Sequence, residues 1–214
     1  MCLRREKIKP GHPEHLGMLD PFIPILSDAL DAKYLKTAAT SLTTLCLMMK
    51  YPSLPSWKSH LKLVVDAVFV IVHRYGVGGL TKKGDVADLV GAAYKALNIV
   101  LHRMSEPKEE GDAYHRLTDD QLRALVMYVE HDVEAADSAG ADRQPTAFSM
   151  LKALLNRKFQ SKEIPAVMEK VFQLAIKSPM DGIRSNCRQL ALQYLLNYPI
   201  GKKIKGSVHR NCGW

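Results

Sequence analysis

The residues able to do chemistry are scattered along this chain rather than assembled. Eight histidines stand at positions 12, 15, 60, 73, 102, 115, 131 and 209, and none forms an H-E-x-x-H pair. None sits beside a serine or cysteine in a recognisable nucleophile context; His73 and His102, near helix ends, read as surface or capping groups. Cys2, Cys46, Cys187 and Cys212 make no C-x-x-C pair and have no histidine at ligand spacing, so no zinc site is predicted. Cys46 and Cys187 fall inside apolar runs, where a thiol serves as a small core residue, and a reducing compartment suits them. The glycine loop from Gly76 to Lys83 lacks the G-x-x-x-x-G-K-[ST] order and has no preceding strand. Glu130, Asp132, Glu134 and Asp137 cluster on one predicted helix, and their spacing is read as pointing them in different directions. No catalytic residue, metal, cofactor or small-molecule substrate is predicted, and the chain reads as a non-enzyme.

Cations carry more information. Arg157, Lys158 and Lys162 fall at one predicted turn, Arg184 and Arg188 lie one turn apart on the last helix, and Lys202, Lys203 and Lys205 follow it. The net charge is +8, distributed unevenly. Residues 106–142 hold eleven acidic and three basic side chains, whereas residues 143–214 hold thirteen basic and three acidic ones. A basic stretch of this kind can neutralise phosphates with salt-sensitive affinity, which makes nucleic acid the first candidate partner. Few aromatics lie beside these cations, so base stacking is not indicated, and RNA would be held through its backbone and shape.

The elements that must position these groups read as helices almost throughout. Aromatics make up 7% of the chain and apolar residues 47%, a balance that favours helix over strand. Eight segments show helical periodicity: Leu19–Leu30, Tyr34–Lys50, Ser56 or Trp57 to Tyr75, Gly84–Met104, Thr118–Ala136, Asp142–Lys158, Lys162–Lys177 and Asp181–Tyr198. Asp20-Pro21 reads as a cap followed by proline at the first helical position, Asp85 as the cap of its helix, and Thr118 with Gln121 as a capping box. Ser105–Asp112 is polar and charged and predicts an exposed or disordered connection. No run is apolar enough to span a membrane, and no apolar stretch follows the basic start to make a secretory signal. A soluble, intracellular protein without membrane contact is expected.

Helix, short turn, helix and longer loop recur four times. Arg143 and Arg184 are 41 residues apart, with Leu151 and Leu192 following them at one equal spacing and Leu154 and Leu195 at another. That interval fits the period of HEAT and armadillo units; Leu35, Ala38, Ala39, Leu42 and Cys46 give a looser copy. Each helix pair has too much apolar face to stand alone, and stacking the pairs makes one continuous core. The expected fold class is therefore all-α, an α-solenoid of about four HEAT-like helical hairpins, with a compact bundle as the competing architecture. The hairpins fall at about 18–52, 56–104, 117–158 and 162–200 within a repeat region of 18–205. A flexible basic segment (1–17) precedes them and an unstructured tail (206–214) follows.

Four stretches carry a resemblance: Met18–Leu30 (MLDPFIPILSDAL), Asp142–Lys158 (DRQPTAFSMLKALLNRK), Glu163–Val171 (EIPAVMEKV), and Cys187-Arg188-Gln189 with Tyr198–Gly201 (YPIG). Together they resemble the small-subunit processome component 20, or down-regulated-in-metastasis, family. The resemblance runs over roughly Met18 to Lys205, and Asp142–Lys158 is its most specific part. Members of that family are very long HEAT-repeat proteins of the nucleolus. The resemblance implies a non-catalytic scaffold in the nucleus and nucleolus, associated with the U3 small nucleolar ribonucleoprotein and acting in pre-ribosomal RNA processing towards 18S rRNA. Its implied partners are small-subunit processome proteins and pre-ribosomal or U3 RNA. Against the family's length and its further helices, the short non-periodic tail predicts a fragment. A generic HEAT or armadillo adaptor that binds proteins alone, such as a transport or phosphatase scaffold, is the alternative reading.

Overall fold

A computed structural model describes residues 17–31, 33–76, 84–134 and 144–199. Among these residues there are eight α-helices and no strand. The helices are α1 (Phe22–Asp28), α2 (Leu35–Met48), α3 (Trp57–Ile71), α4 (Asp85–Arg103), α5 (Asp119–Glu134), α6 (Gln144–Asn156), α7 (Ile164–Lys177) and α8 (Asp181–Asn197). A 3-10 turn at Ala29–Asp31 follows α1, and α3 continues into a π-helical turn at Val72–Gly76. The basic start up to residue 16 and the tail after Pro199 lie outside the described residues.

Consecutive helices pack in pairs: α1 on α2, α3 on α4, α5 on α6 and α7 on α8. The second members also touch in series, α2 on α4, α4 on α6 and α6 on α8, while α1 meets α3 and α5 meets α7. The core runs along these contacts. Leu42, Leu45, Trp57, Leu97, Leu101, Leu125, Met150 and Leu151 are all fully buried in it. Each such side chain contributes roughly 1.5–3 kcal/mol relative to exposure, so the inter-helix faces, rather than helix propensity, hold the chain together. Cys46 and Cys187 are buried in this core as expected. Burial pushes their thiols up to about 12 and about 11, which leaves neither poised as a thiolate.

The helix ends confirm one predicted cap and revise two. Thr118 N donates to Gln121 Oε1 at 3.0 Å and Gln121 N donates to Thr118 Oγ1 at 3.2 Å, the reciprocal capping box at the start of α5. Asp85 does not cap α4; Gly84 holds that position with φ +87°, a backbone setting open to glycine and strained for other residues. Asp20 does not cap α1 either. Its carboxylate accepts from Ser56 N at 2.9 Å and from Ser56 Oγ at 2.8 Å, at the start of α3.

The polar connection after α4 is exposed from Glu106 to Gly111, as expected, but it is an ordered path. Ser105 is buried at its start, and Ala113 and Leu117 enter the core at its end. Ala113 N donates to Pro52 O at 2.9 Å, and His115 N donates to Met104 O at 2.7 Å. The leucine correspondence between α6 and α8 holds in spacing and fails in burial. Leu151 is fully buried, while Leu192 is 59% exposed because no described helix packs on the outer side of α8.

Candidate nucleic-acid interface

The α6–α7 turn begins where α6 ends in a Schellman motif. Lys158 N donates to Leu155 O at 3.1 Å and Phe159 N to Leu154 O at 3.2 Å, the paired bonds that close a helix C-terminus. The motif requires a left-handed residue, and Lys158 fills that position at φ +54°, where glycine is usual. Phe159 packs against the core and accepts a 2.8 Å hydrogen bond from the Tyr198 hydroxyl. Asn197 Nδ2 donates to Leu155 O at 3.2 Å. The end of α8 is thereby fixed to the same edge.

The predicted cations divide sharply at this edge. Arg157 is exposed as a residue but its guanidinium is tied down, donating to Leu101 O and to Ser105 Oγ at the end of α4. The cation adds a charged donor to Leu101 O, which also accepts from Ser105 Oγ at 3.1 Å, at the helix end where positive charge is favoured. Burial lowers the pKa of Arg157, with Glu106 opposing and Arg116 reinforcing that shift. Lys158 and Lys162 are exposed. Lys162 shares a shallow depression with Arg123, Gln160, Ser161 and Glu163. The Ser161 hydroxyl, which donates to Glu163 Oε2, holds the Glu163 carboxyl below its usual range, with smaller help from Arg123 and Lys162.

Arg116 and Arg123 belong to this edge and were hidden from sequence reasoning by the acidic total of residues 106–142. Arg123 is partly offset by Asp120 at 3.4 Å, in an exposed pair that contributes little. Arg116, Lys158 and Lys162 therefore face solvent together as the cations of this edge with no ion pair among the described residues. Tyr114, two residues before Arg116 on the same connection, is exposed, so the edge is suited to phosphate oxygens and offers one ring for stacking.

The second predicted group lies elsewhere. Arg184 donates from Nη1 to Ser178 O at 2.6 Å and pairs through Nη2 with Asp181, closing the α7–α8 turn. Arg188, one turn on, is exposed. Because the end of α8 lies beside the end of α6, Arg184 stands roughly 20 Å away along the helix by its 1.5 Å rise per residue. The structure does not bring Arg184 and Arg188 together with Lys158 and Lys162. Lys202, Lys203 and Lys205 lie outside the described residues. Of the acidic cluster, Asp132 is buried and Glu130 pairs with Lys170 at 3.0 Å.

No helix among the described residues is long and apolar enough to cross a membrane. No family model matches the chain. A stretch of 87 residues, 41% of this chain, is 31% identical to U3 small nucleolar RNA-associated protein 20 of Schizosaccharomyces pombe. The chain spans 3% of the length of that relative. The relationship is thus a distant one, between an all-helical segment and a small part of a protein named for its association with U3 small nucleolar RNA.

Proposed function

We propose that this chain is a HEAT-like α-solenoid segment of about four helical hairpins, acting as a non-catalytic scaffold in small-subunit ribosome biogenesis. Its place is the nucleolus, where pre-ribosomal RNA is processed towards 18S rRNA. Its partners are small-subunit processome proteins and pre-ribosomal or U3 RNA. The observation that carries this reading is the 87-residue similarity to the U3 small nucleolar RNA-associated protein.

The helix contacts support the solenoid part of the reading. The series α2, α4, α6 and α8 is the pattern of repeats that each touch their neighbours alone. In a scaffold of this type function is displayed on the outer surface. Arg116, Lys158 and Lys162 would hold RNA phosphates without reading sequence. Arg157 and Arg184 would act indirectly, by fixing the turns that present them. Arg188, Lys202, Lys203 and Lys205 remain candidates on their sequence position.

The test is a pull-down of the full chain from nuclear extract. U3 RNA and processome proteins should be recovered with it, and recovery should fall when Lys158 and Lys162 are both changed to Glu. A folded chain that recovers neither sinks the proposal.

A further inference from the structure

Residues 113–117, on the connection from α4 to α5, alternate in burial. Ala113 and Leu117 enter the core and His115 is half-buried, while Tyr114 and Arg116 between them are exposed. Side chains two apart on an extended chain share a face, roughly 7 Å from one another. The Tyr114 ring and the Arg116 guanidinium therefore share the outer face. The backbone divides in the same way. Ala113 N donates to Pro52 O at 2.9 Å and His115 N to Met104 O at 2.7 Å, whereas Tyr114 N and Arg116 N make no hydrogen bond among the described residues.

The attachments of this stretch make it part of the phosphate edge. His115 is bonded to Met104 at the end of α4, and the Arg157 guanidinium holds Leu101 O and Ser105 Oγ at the same helix end. Arg116 is close enough to Arg157 to act on its charge, and the exposed Lys158 follows Arg157 directly. Tyr114 serves no internal purpose: it is 56% exposed and makes neither a hydrogen bond nor a ring contact among the described residues.

We propose that this edge takes single-stranded RNA, with an unpaired base stacked on Tyr114 and the flanking phosphates held by Arg116, Lys158 and Lys162. A nucleotide consists of a base and a phosphate on one sugar, and the edge offers a partner for each. The peptide N–H groups of Tyr114 and Arg116 are further donors of the kind that phosphate oxygens accept. An acidic peptide would use the cations and leave the ring idle. A duplex keeps its bases stacked inside, with no free face for the ring. It also carries one charge per about 1.7 Å, double the density of a single strand. Glu106, Glu109 and Glu110 precede Tyr114 on the connection, so the denser polyanion is repelled more, and phosphates are confined to the Arg116 side.

The inference rests on the proposed reading of this edge as an RNA-phosphate site, and its test separates the two. The full chain is titrated with a short unstructured single-stranded RNA, a duplex of the same sequence and a Glu/Ser peptide, each fluorescein-labelled. The single strand should bind more tightly than the duplex. Tyr114→Ala should weaken single-strand binding about tenfold, leave duplex binding unchanged and melt with the parent, since the ring is exposed. Tyr114→Phe keeps the π-face and should bind like the parent. Lys158→Glu with Lys162→Glu should weaken both RNAs. If the parent prefers the duplex, or if Tyr114→Ala keeps its single-strand affinity or loses both RNAs equally, this proposal is overturned while the phosphate edge stands. If the parent binds neither RNA, or binds the Glu/Ser peptide more tightly than the single strand, both are overturned.

Discussion

The carboxylate of Asp20 accepts two hydrogen bonds from Ser56, at 2.9 Å from its backbone N and 2.8 Å from its hydroxyl. Asp20 lies just before α1 and Ser56 just before α3, so one side chain sets the spacing between the first helices of successive hairpins. The carboxylate also occupies the N-terminus of α3, where unpaired N–H groups and the helix dipole favour negative charge.

Removing that carboxylate is expected to loosen the first hairpin. Asp20→Ala should lower stability by about 1–2 kcal/mol, in the range of a lost cap. Urea denaturation followed by circular dichroism measures this. Ser56→Ala retains the backbone donor and should cost less. Equal stability of Asp20→Ala and the parent would show that the bond contributes nothing.

Arg157 and Lys162 are neighbours in sequence with opposite uses. Arg157→Ala leaves Ser105 Oγ and Leu101 O without their charged donor and should destabilise the chain by about 1–3 kcal/mol. Lys162→Ala should leave the melting temperature in place and reduce the salt dependence of RNA binding by about one unit of slope. A stable Arg157→Ala variant that loses RNA binding would reverse this assignment.

Lys158 separates stability from binding at a single position. In the left-handed region a side chain costs roughly 1–2 kcal/mol, so Lys158→Gly should stabilise the fold by about 1 kcal/mol, allowing for the glycine's greater unfolded freedom. The same variant should bind RNA more weakly. Lys158→Val, with a β-branched side chain at this φ, should melt lower than the parent.

Alkaline pH should weaken the fold through Cys46. Its thiol is pushed from 9.0 to about 12, chiefly by burial, so the folded state binds the proton more tightly than the unfolded one. That contribution is complete below about pH 9 and is lost as pH rises towards 12. Tyr128, Tyr194 and Tyr198 are raised in the same direction by burial and add to the decline. Melting temperatures from pH 8 to 11 should therefore fall, and Cys46→Ala should flatten part of the fall. A thiol reagent at pH 8 should modify Cys46 in urea and spare it in the native protein.

What the sequence determined by itself was local. Helical periodicity identified all eight helices within a few residues of their ends, because burial of a helix face writes a repeat of three and four residues into the chain. The Thr118–Gln121 capping box was legible because both partners lie within one turn. The tertiary structure decided everything that depends on a distant partner. Asp20 was assigned to its own helix because its true partner is 36 residues away. Arg157 and Lys158 are adjacent and equally basic in the sequence, yet the guanidinium alone reaches the end of α4. Leu151 and Leu192 share a repeat position, but a neighbouring helix covers only the first. Lys36 and Lys95 lie on helices far apart in the chain and line one groove only because α2 is laid along α4. Side-chain direction follows from helix phase, which is local, whereas what a side chain meets follows from packing, which is not.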